Sequence, residues 1–366
     1  MKNNFFALSY LVVLVFTTTL SFSQSDIYES YVILNINGSG NSYYDLNVDT
    51  ANANFEGTNL GTFTPSNSLI LNGAQNQTYK CGIHNILNSY IDYRVYLTGN
   101  TPPTFTASEI LFNTDDGTSN FCLGTSVDQT WESSGANINV LNGLPSGDYT
   151  LEIYTRSDAD YDGDNIADNT YYVSNSGANY KATFRVDNAP TANCNNYSTQ
   201  LDASGIANIV AAHVDGGSTD DFGIVNMTVS PNTFNCSNIG NNTVTLTVTD
   251  SIGQTSSCTA TVDVQDNTNP TAICQNTTVV LDASGNGSIT TTDIDNGSND
   301  ACGIQSLSLD QTTFDCNDIG NNTVTLTVTD NNGNVSTCTA TVDVQDNTNP
   351  TAICQNATVV LDASGN

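Results

Sequence analysis

The residues of this chain whose types and spacing best suit chemistry are aspartates crowded into the sequence DADYDGDNIAD, positions 158–168. A hard divalent cation takes roughly six to eight oxygen ligands, and carboxylates two residues apart on a glycine-turned loop supply such oxygens. Without a counter-ion, carboxylates this close repel one another. A solvated acidic hairpin tip is the alternative, but the spacing favours a Ca²⁺ site in this aspartate loop. Its candidate ligands are Asp158, Asp160, Asp162, Asp164 and Asp168.

Enzymatic chemistry has little support elsewhere in the sequence. The chain has two histidines, and neither stands in a recognisable Ser-His-Asp arrangement. The sequence also shows no recognisable paired-carboxylate motif and no phosphate-binding glycine loop. We therefore predict that the chain is not an enzyme.

Three aromatic residues are candidates for ligand binding. Trp131 and the pair Tyr171 and Tyr172 could form a platform on which a sugar ring stacks. Aromatic side chains in a β-sandwich more often belong to its core, which is the competing interpretation.

The first residues predict export from the cell. One charge, Lys2, precedes an apolar run from Phe5 to Leu20, and small residues follow at Ser21 and Ser23. This pattern is typical of a secretory signal peptide, here residues 1–23, and the run is short for a membrane span. No other segment is apolar enough to cross a bilayer, so we expect a secreted or cell-surface protein without membrane insertion.

The charge balance excludes one class of partner. The net charge of −31 arises from 37 acidic residues and six basic ones, and residues 186–366 contain no Lys or Arg. A surface of this kind repels phosphate backbones, which argues against nucleic-acid binding. It also favours divalent cations, although solubility in a saline medium explains the same composition.

Short alternating runs define the elements that must position these residues. Between residues 25 and 185 they are YVILNI, YRVYLTG, INVLNGL, YTLEIYT and YKATFRV, separated by Gly, Asn and Asp. Strand-like runs with turn signals between them, and no sustained helical period, predict an all-β sandwich.

The rest of the chain repeats itself every 80 residues. IGNNTVTLTVTD occurs at 239–250 and 319–330, and CTATVDVQDNTNP occurs at 258–270 and 338–350. A period in this range indicates tandem units. We place repeat 1 at 186–266, repeat 2 at 267–346, and the start of a truncated third repeat at 347–366.

Each repeat is predicted to be a small Ig-like β-sandwich of about seven strands. In repeat 2 the residues Val324, Leu326 and Val328 alternate with threonines, and an NNGN turn leads into a second strand. This pattern predicts a hairpin with an apolar inner face and a threonine-rich outer face. The segments TAICQNTTVVLD, GSITTTDI and IQSLSLD are expected to supply the other strands. A core of this size is marginal, and cross-links would help to stabilise it.

Residues 190–366 resemble hyalin repeat modules, which are Ig-like domains found in tandem in extracellular proteins. The resemblance depends on a Pro-Thr-Ala start followed closely by Cys, the TVTLTVTDNNGN stretch and the closing CTATVDV. It implies a role in secreted or surface proteins. It also implies that the early and late cysteines of each repeat pair, as Cys194–Cys258 and Cys274–Cys338.

The remaining cysteines are interpreted as disulfides too, because ten cysteines in an exported chain indicate oxidised pairs. Zinc binding is the rival interpretation, but no Cys-x-x-Cys pair or Cys/His cluster occurs. Cys81 is expected to pair with Cys122, and Cys302 with Cys316. Repeat 1 has Phe222 at the position of Cys302, so this scheme leaves Cys236 without a partner. Cys354 of the third repeat is likewise alone.

Two segments resemble known calcium-binding sequences. The aspartate loop is similar to the loop of thrombospondin type 3 repeats and to the start of an EF-hand loop, but Asn169 replaces the final Glu of an EF-hand. The junctions VDNAP and QDNTNP, at residues 186, 265 and 345, are similar to the calcium linkers of cadherins. Asn and Pro at a strand exit are also ordinary turn residues, and we favour the turn over linker calcium.

These observations favour a secreted, adhesin-like surface protein. Its repeats would act as spacers or interaction modules, and its partners would be extracellular proteins or glycans. Two alternatives stay open. One is an exported hydrolase whose catalytic domain is the N-terminal sandwich or lies beyond residue 366, and the other is a carbohydrate-binding module on a stalk of repeats.

Overall fold

The structure, a computed structural model, describes residues 25–46, 52–117, 126–360, 362, 364 and 366. The predicted signal peptide lies outside these residues. The chain divides into two compact units, one ending at Ala189 and the other beginning at Pro190. Both units consist mainly of β-strands, which confirms the predicted all-β fold class.

The first unit contains two sheets. Its described strands are β1 (Ser25–Ile36), β2 (Asn41–Asp45), β3 (Ala53–Asn54), β4 (Asn59–Phe63), β5 (Leu69–Cys81), β6 (Asn85–Leu97), β7 (Thr106–Ile110), β8 (Phe112–Gly117), β9 (Ser126–Ser133), β10 (Ile138–Asn139), β11 (Gly147–Asp160), β12 (Asn169–Val173) and β13 (Tyr180–Val186). A 3₁₀ helix, Asn175–Gly177, precedes the last strand. In the part of this unit that the structure describes, one sheet has the order β3-β2-β1-β5-β9-β8 with β10 beside β5, and the other has the order β4-β13-β11-β6-β7 with β12 beside β11.

The core of the first unit combines an apolar cluster with a buried polar layer. Leu34 and Leu71 of one sheet and Ile91 and Ile153 of the other belong to the same cluster and are fully buried. Further along the strands, buried hydroxyl and amide groups replace apolar ones. They are Ser30, Asn76, Ser89, Thr155 and Ser157.

This polar layer is internally hydrogen-bonded. The Ser30 hydroxyl donates to the Asn76 side chain at 2.6 Å and lies 2.7 Å from the Thr155 hydroxyl of the other sheet. The Asn76 amide donates to the Ser89 hydroxyl at 2.7 Å. Because buried polar groups are costly only when they lack partners, this network joins the two sheets without the cost of unsatisfied groups.

Repeats 1 and 2 have the same elements in the same order. Repeat 1 contains β14 (Tyr197–Gln200), β15 (Ile206–Asn208), α1 (Ala211–Val214), β16 (Ile224–Ser230), β17 (Thr233–Asn235), a 3₁₀ turn (Cys236–Asn238), β18 (Gly240–Asp250) and β19 (Thr255–Gln265). Repeat 2 contains β20 (Thr277–Val280), β21 (Gly287–Ser288), α2 (Thr291–Ile294), β22 (Ile304–Leu309), β23 (Thr313–Phe314), a 3₁₀ turn (Cys316–Asp318), β24 (Gly320–Asp330) and β25 (Val335–Gln345). In the described part of each repeat, four strands form one sheet and two short strands form another. The orders are β14-β19-β18-β16 and β15-β17 in repeat 1, and β20-β25-β24-β22 and β21-β23 in repeat 2.

The predicted hairpin with its apolar inner face is confirmed. Val324, Leu326 and Val328 have no exposed surface, and Val342 on the facing strand is equally buried. The alternation succeeds because successive side chains of a strand point to opposite faces.

The segment GSITTTDI is not the single strand that was predicted. Its first residues belong to β21, but Thr291–Ile294 form the short helix α2. The Asp293 carboxylate accepts a hydrogen bond from the Thr290 backbone N–H at 2.7 Å, which stabilises a helical first turn. The described part of each repeat contains six strands, against about seven expected from the sequence.

The third repeat forms no strand among its described residues. Residues 351–360 are exposed and lack regular structure, although their sequence matches the start of repeat 2. In repeat 2 the strand β20 pairs in parallel with β25, the last strand of the same repeat. A strand requires such a partner for its backbone groups, and no partner for residues 351–360 lies among the described residues.

Candidate functional site

The aspartate loop connects two neighbouring strands of the first unit. The strand β11 ends at Asp160 and β12 begins at Asn169, so the loop forms the tip of a hairpin. Gly163 and Asn165 have φ values of 85° and 64°. Residues in this left-handed region, which glycine and asparagine adopt most readily, let the chain reverse tightly.

The Asp160 carboxylate organises the loop from its base. It is buried and accepts hydrogen bonds from the backbone N–H groups of Asp162, Gly163 and Asn165 at 3.1, 2.8 and 2.8 Å. Burial acts to raise the pKa of Asp160, but the hydrogen bonds from these backbone groups outweigh it and lower the pKa below its usual value. The carboxylate is therefore ionised at neutral pH.

Three of the five predicted ligands converge. Carboxylate oxygens of Asp160, Asp162 and Asp168 lie within 4.8 Å of one another. Hard oxygen donors at this separation fit Ca²⁺, with water or carbonyl oxygens completing its coordination.

The other two predicted ligands lie outside this group. Asp158 accepts a hydrogen bond from the Thr170 hydroxyl at 2.7 Å and lies 3.7 Å from the Arg156 guanidinium. The Asp164 carboxylate accepts from the backbone N–H of Ile166 at 2.8 Å. Asp158 is a strand residue that faces its cross-strand neighbours, and a part for Asp158 and Asp164 in a calcium site stays a prediction.

The structure does not assemble the predicted aromatic platform. Trp131 on β9 is only 7% exposed and belongs to the core, where Phe112 meets it edge-on with ring centroids 5.2 Å apart. Tyr171 is half-buried, and its hydroxyl lies 2.5 Å from that of Tyr161. Tyr172 is 60% exposed but lies on β12, in the other sheet from Trp131. The burial of Trp131 agrees with the competing interpretation, in which this ring belongs to the core, and ligand binding at Tyr171 and Tyr172 stays a prediction.

Each complete repeat has the long-range bridge that the resemblance implied. Cys194 bonds to Cys258, and Cys274 bonds to Cys338. The sequence separation is 64 residues in both bridges, with Cα atoms 5.9 and 5.8 Å apart. Cys81 is also disulfide-bonded, but Cys122 lies outside the described residues, so their pairing stays a prediction.

The predicted bridge between Cys302 and Cys316 is wrong. Cys302 of repeat 2 bonds instead to Cys236 of repeat 1, with Cα atoms 5.3 Å apart, and we call this the inter-repeat bridge. Cys316 is exposed and free, as is Cys354. The reason is geometric: Cys302 packs against the core of repeat 1 and so reaches Cys236, whereas Cys316 occupies in repeat 2 the position that Cys236 occupies in repeat 1.

A second acidic group lies at the junction of repeats 1 and 2. The Asp266 side chain is 7% exposed, and one of its oxygens accepts from the Thr268 backbone N–H at 3.1 Å, as the predicted turn requires. Its other oxygen, Oδ2, has no hydrogen-bond partner in the described part of the chain.

A carboxylate oxygen of Asp300 lies within 4.8 Å of an Asp266 carboxylate oxygen, and the Cys302 sulfur lies equally near but belongs to a disulfide. Residues 186–366 contain no Lys or Arg to neutralise these charges. A buried carboxylate oxygen without a partner is costly, and a divalent cation bound to both carboxylates would remove that cost.

Comparisons with known proteins leave the family open. No protein-family model matches this chain. A search of curated proteins also finds no match. The hyalin repeat resemblance therefore stays a prediction.

Some solved structures are similar to the chain at a low level. An I-band fragment from titin is 9% identical, with 80% of this chain and 97% of that chain covered and a TM-score of 0.32. A structure of mouse cadherin-23 is 14% identical, with 80% and 96% covered and a TM-score of 0.30. Similarity at this level adds nothing to the fold described above. Within the described residues, no helix has the length and apolar character needed to span a bilayer.

Proposed function

We propose that this chain is a secreted or cell-surface protein whose repeats act as extracellular spacers or interaction modules for other proteins or glycans. The observation that carries the proposal is the set of disulfides in the repeats, one within each complete repeat and one between them. Disulfides persist in oxidising compartments and are rare in the cytosol. The inter-repeat bridge also ties neighbouring repeats together, which suits a spacer.

Localisation tests this proposal directly. Antibodies against repeat 2 are expected to label intact, unpermeabilised cells of the source organism or to detect the chain in the medium. Labelling should disappear after mild external proteolysis. If the antibodies bind only after permeabilisation, the chain is intracellular and the proposal is wrong.

Calcium would support this function at two places. One is the aspartate loop, where Asp160, Asp162 and Asp168 would bind the ion and rigidify the hairpin tip. The other is the junction, where Asp266 and Asp300 would bind an ion between repeats 1 and 2. A ligand that binds only the folded state stabilises it, by about 2.7 kcal/mol at a concentration 100 times its Kd.

Equilibrium dialysis of the full chain with Ca²⁺ is expected to separate the two sites. The paired change Asp162→Asn and Asp168→Asn should remove one bound ion, because it removes two of three converging carboxylates. The change Asp266→Asn should remove another, because it neutralises the buried carboxylate at the junction. EDTA should lower the melting temperature of the wild-type chain.

Matched controls lie in the same sequence motifs. Asp164→Asn changes a loop carboxylate outside the converging group and should leave calcium binding intact. Asp346 repeats the QDNTNP sequence of Asp266 and accepts from the Thr348 N–H at 2.9 Å, but it is exposed. Asp346→Asn should therefore have no effect. Equal calcium stoichiometry in Asp266→Asn and the wild-type chain would contradict the junction site, and the same result for the paired loop variant would contradict the loop site.

A further inference from the structure

The inter-repeat bridge follows a positional rule. Cys236 and Cys316 occupy the same position in successive repeats, 80 residues apart, and so do Phe222 and Cys302. The bridge joins the first of these positions in repeat 1 to the second in repeat 2. A cysteine in one repeat thus bonds forward to a different position in the next repeat.

The free thiol of Cys316 has the same local surroundings as the bonded sulfur of Cys236. The Cys236 sulfur lies 3.9 Å from the carbonyl oxygen of Gly205, and the Cys316 sulfur lies 3.8 Å from that of Gly285. The two glycines have φ values of 74° and 76°. A Cβ atom added to either would come within 2.8 or 2.7 Å of the sulfur. Both turns therefore hold the sulfur in the same place, and neither leaves room for a larger residue.

The Cys236 and Cys316 sulfurs differ in whether a following repeat packs beside them. A Cβ atom on Gly205 would also lie 3.2 Å from the Ala301 side chain and 3.7 Å from the Cys302 sulfur, which belong to repeat 2. A Cβ atom on Gly285 would meet, chain neighbours aside, only the Cys316 sulfur within 4 Å among the described residues. The surface around Gly285 and Cys316 of repeat 2 is therefore exposed, whereas the matching surface of repeat 1, around Gly205 and Cys236, contacts repeat 2.

We propose that Cys316 is the forward-bonding cysteine of repeat 2. It forms a disulfide with the cysteine at the Cys302 position of a further copy of this repeat that packs on repeat 2. The sequence of repeat 1 agrees with this proposal. Repeat 1 follows the first unit rather than another repeat, and it has Phe222 at the position where repeat 2 has Cys302, the cysteine that bonds to the preceding repeat. Cys354 is not the partner, since it matches Cys194 and Cys274, which bond within their own repeats.

The reaction is an oxidation of two thiols. The Cys316 sulfur and the receiving sulfur each lose a proton, and together they lose two electrons as the S–S bond forms. An oxidising disulfide accepts those electrons and protons and is reduced to two thiols, in two steps of thiol–disulfide exchange. Because Cys316 is exposed, such an oxidant can reach it.

A chain extended by one repeat tests this proposal. Residues 287–350 are appended after Asn366, which completes the third repeat, and the protein is oxidised with glutathione disulfide. Peptide mapping by mass spectrometry without reduction is expected to show Cys316 joined to the appended counterpart of Cys302. Labelling of Cys316 by a maleimide should fall at least about tenfold relative to the original chain.

The matched control has phenylalanine at the appended counterpart of Cys302, as repeat 1 has at Phe222. Cys316 should then remain fully reactive.

In the original chain, Cys302→Phe should leave repeat 2 folded and release Cys236 as a second reactive thiol, which checks the positional rule without the extension. A bridge from Cys316 to Cys354, or a free Cys316 in an extended chain that retains Cys236–Cys302, would overturn the proposal. The Cys316 bridge depends on the proposed spacer function only for its biological purpose, not for its formation. Peptide maps are read on purified protein and localisation on cells, so either proposal can fail alone.

Discussion

Removing the bridge within repeat 1, by changing Cys194→Ser and Cys258→Ser together, is expected to lower the free energy of unfolding of that repeat by about 4 kcal/mol. The bridge closes a loop over a sequence separation of 64 residues, and opening it restores conformational freedom to the unfolded chain. Small domains are stable by only about 5–15 kcal/mol. A large part of the stability of repeat 1 would therefore be lost.

Hydrogen exchange followed by mass spectrometry resolves this effect within the full chain. Amide protection in β18 and β19, which carry the core of repeat 1, should fall sharply, whereas protection in the first unit should not change. The control is Cys316→Ser, which removes an exposed, unbonded thiol and should leave all protection unchanged. Unchanged protection of β18 and β19 in the double variant would show that the bridge contributes little.

The change Arg94→Met is expected to destabilise the first unit by about 3 kcal/mol at neutral pH. Glu152 is 2% exposed, and the Arg94 guanidinium donates to both its oxygens, at 2.7 and 3.1 Å. Tyr96 and Asn179 each donate a further bond at 2.7 Å. Methionine fills similar space but leaves the buried Glu152 carboxylate without its cation. An uncompensated buried charge accounts for most of the destabilisation when one partner of such a pair is removed.

The pH dependence of this variant distinguishes a charge effect from a packing effect. Burial acts to raise the pKa of Glu152, but hydrogen bonds from Arg94, Asn179 and Tyr96 outweigh it and lower the pKa below its usual value. The folded pKa therefore lies below the unfolded one. Glu152 stabilises the wild-type unit above the unfolded pKa, and this contribution is lost as the pH falls through the folded pKa. The difference between variant and wild type should shrink at acidic pH.

Thermal unfolding of the first unit, followed by the near-ultraviolet circular dichroism of its aromatic residues, measures this difference at several pH values. Arg185→Met is the matched control, because Arg185 pairs with Asp148 at 2.7 Å but the two side chains are 39% and 56% exposed. An exposed pair contributes at most about 1 kcal/mol. Equal destabilisation by both changes would show that burial of Glu152 is not decisive.

The aspartate loop shows how far residue spacing alone can predict a cluster of carboxylates. Alternating aspartates around Gly163 located the loop, and the structure brings Asp160, Asp162 and Asp168 together. The sequence pattern did not reveal that Asp158 is still a strand residue beside Thr170, because strand ends depend on cross-strand pairing. The proximity of the junction carboxylates was harder still to predict, since Asp266 and Asp300 are 34 positions apart in sequence and meet only where two repeats pack.

The sequence by itself determined the β fold, the repeat and the inner face of each hairpin, because side chains of a strand alternate between two faces and an apolar residue at every second position decides which face is buried. Only the tertiary structure decided which residues meet across sheets and across repeats. The polar layer around Asn76, the burial of Trp131 and the bond between Cys236 and Cys302 all depend on it. A disulfide needs Cα atoms about 4–7 Å apart, and that distance is set by how one repeat packs on the next.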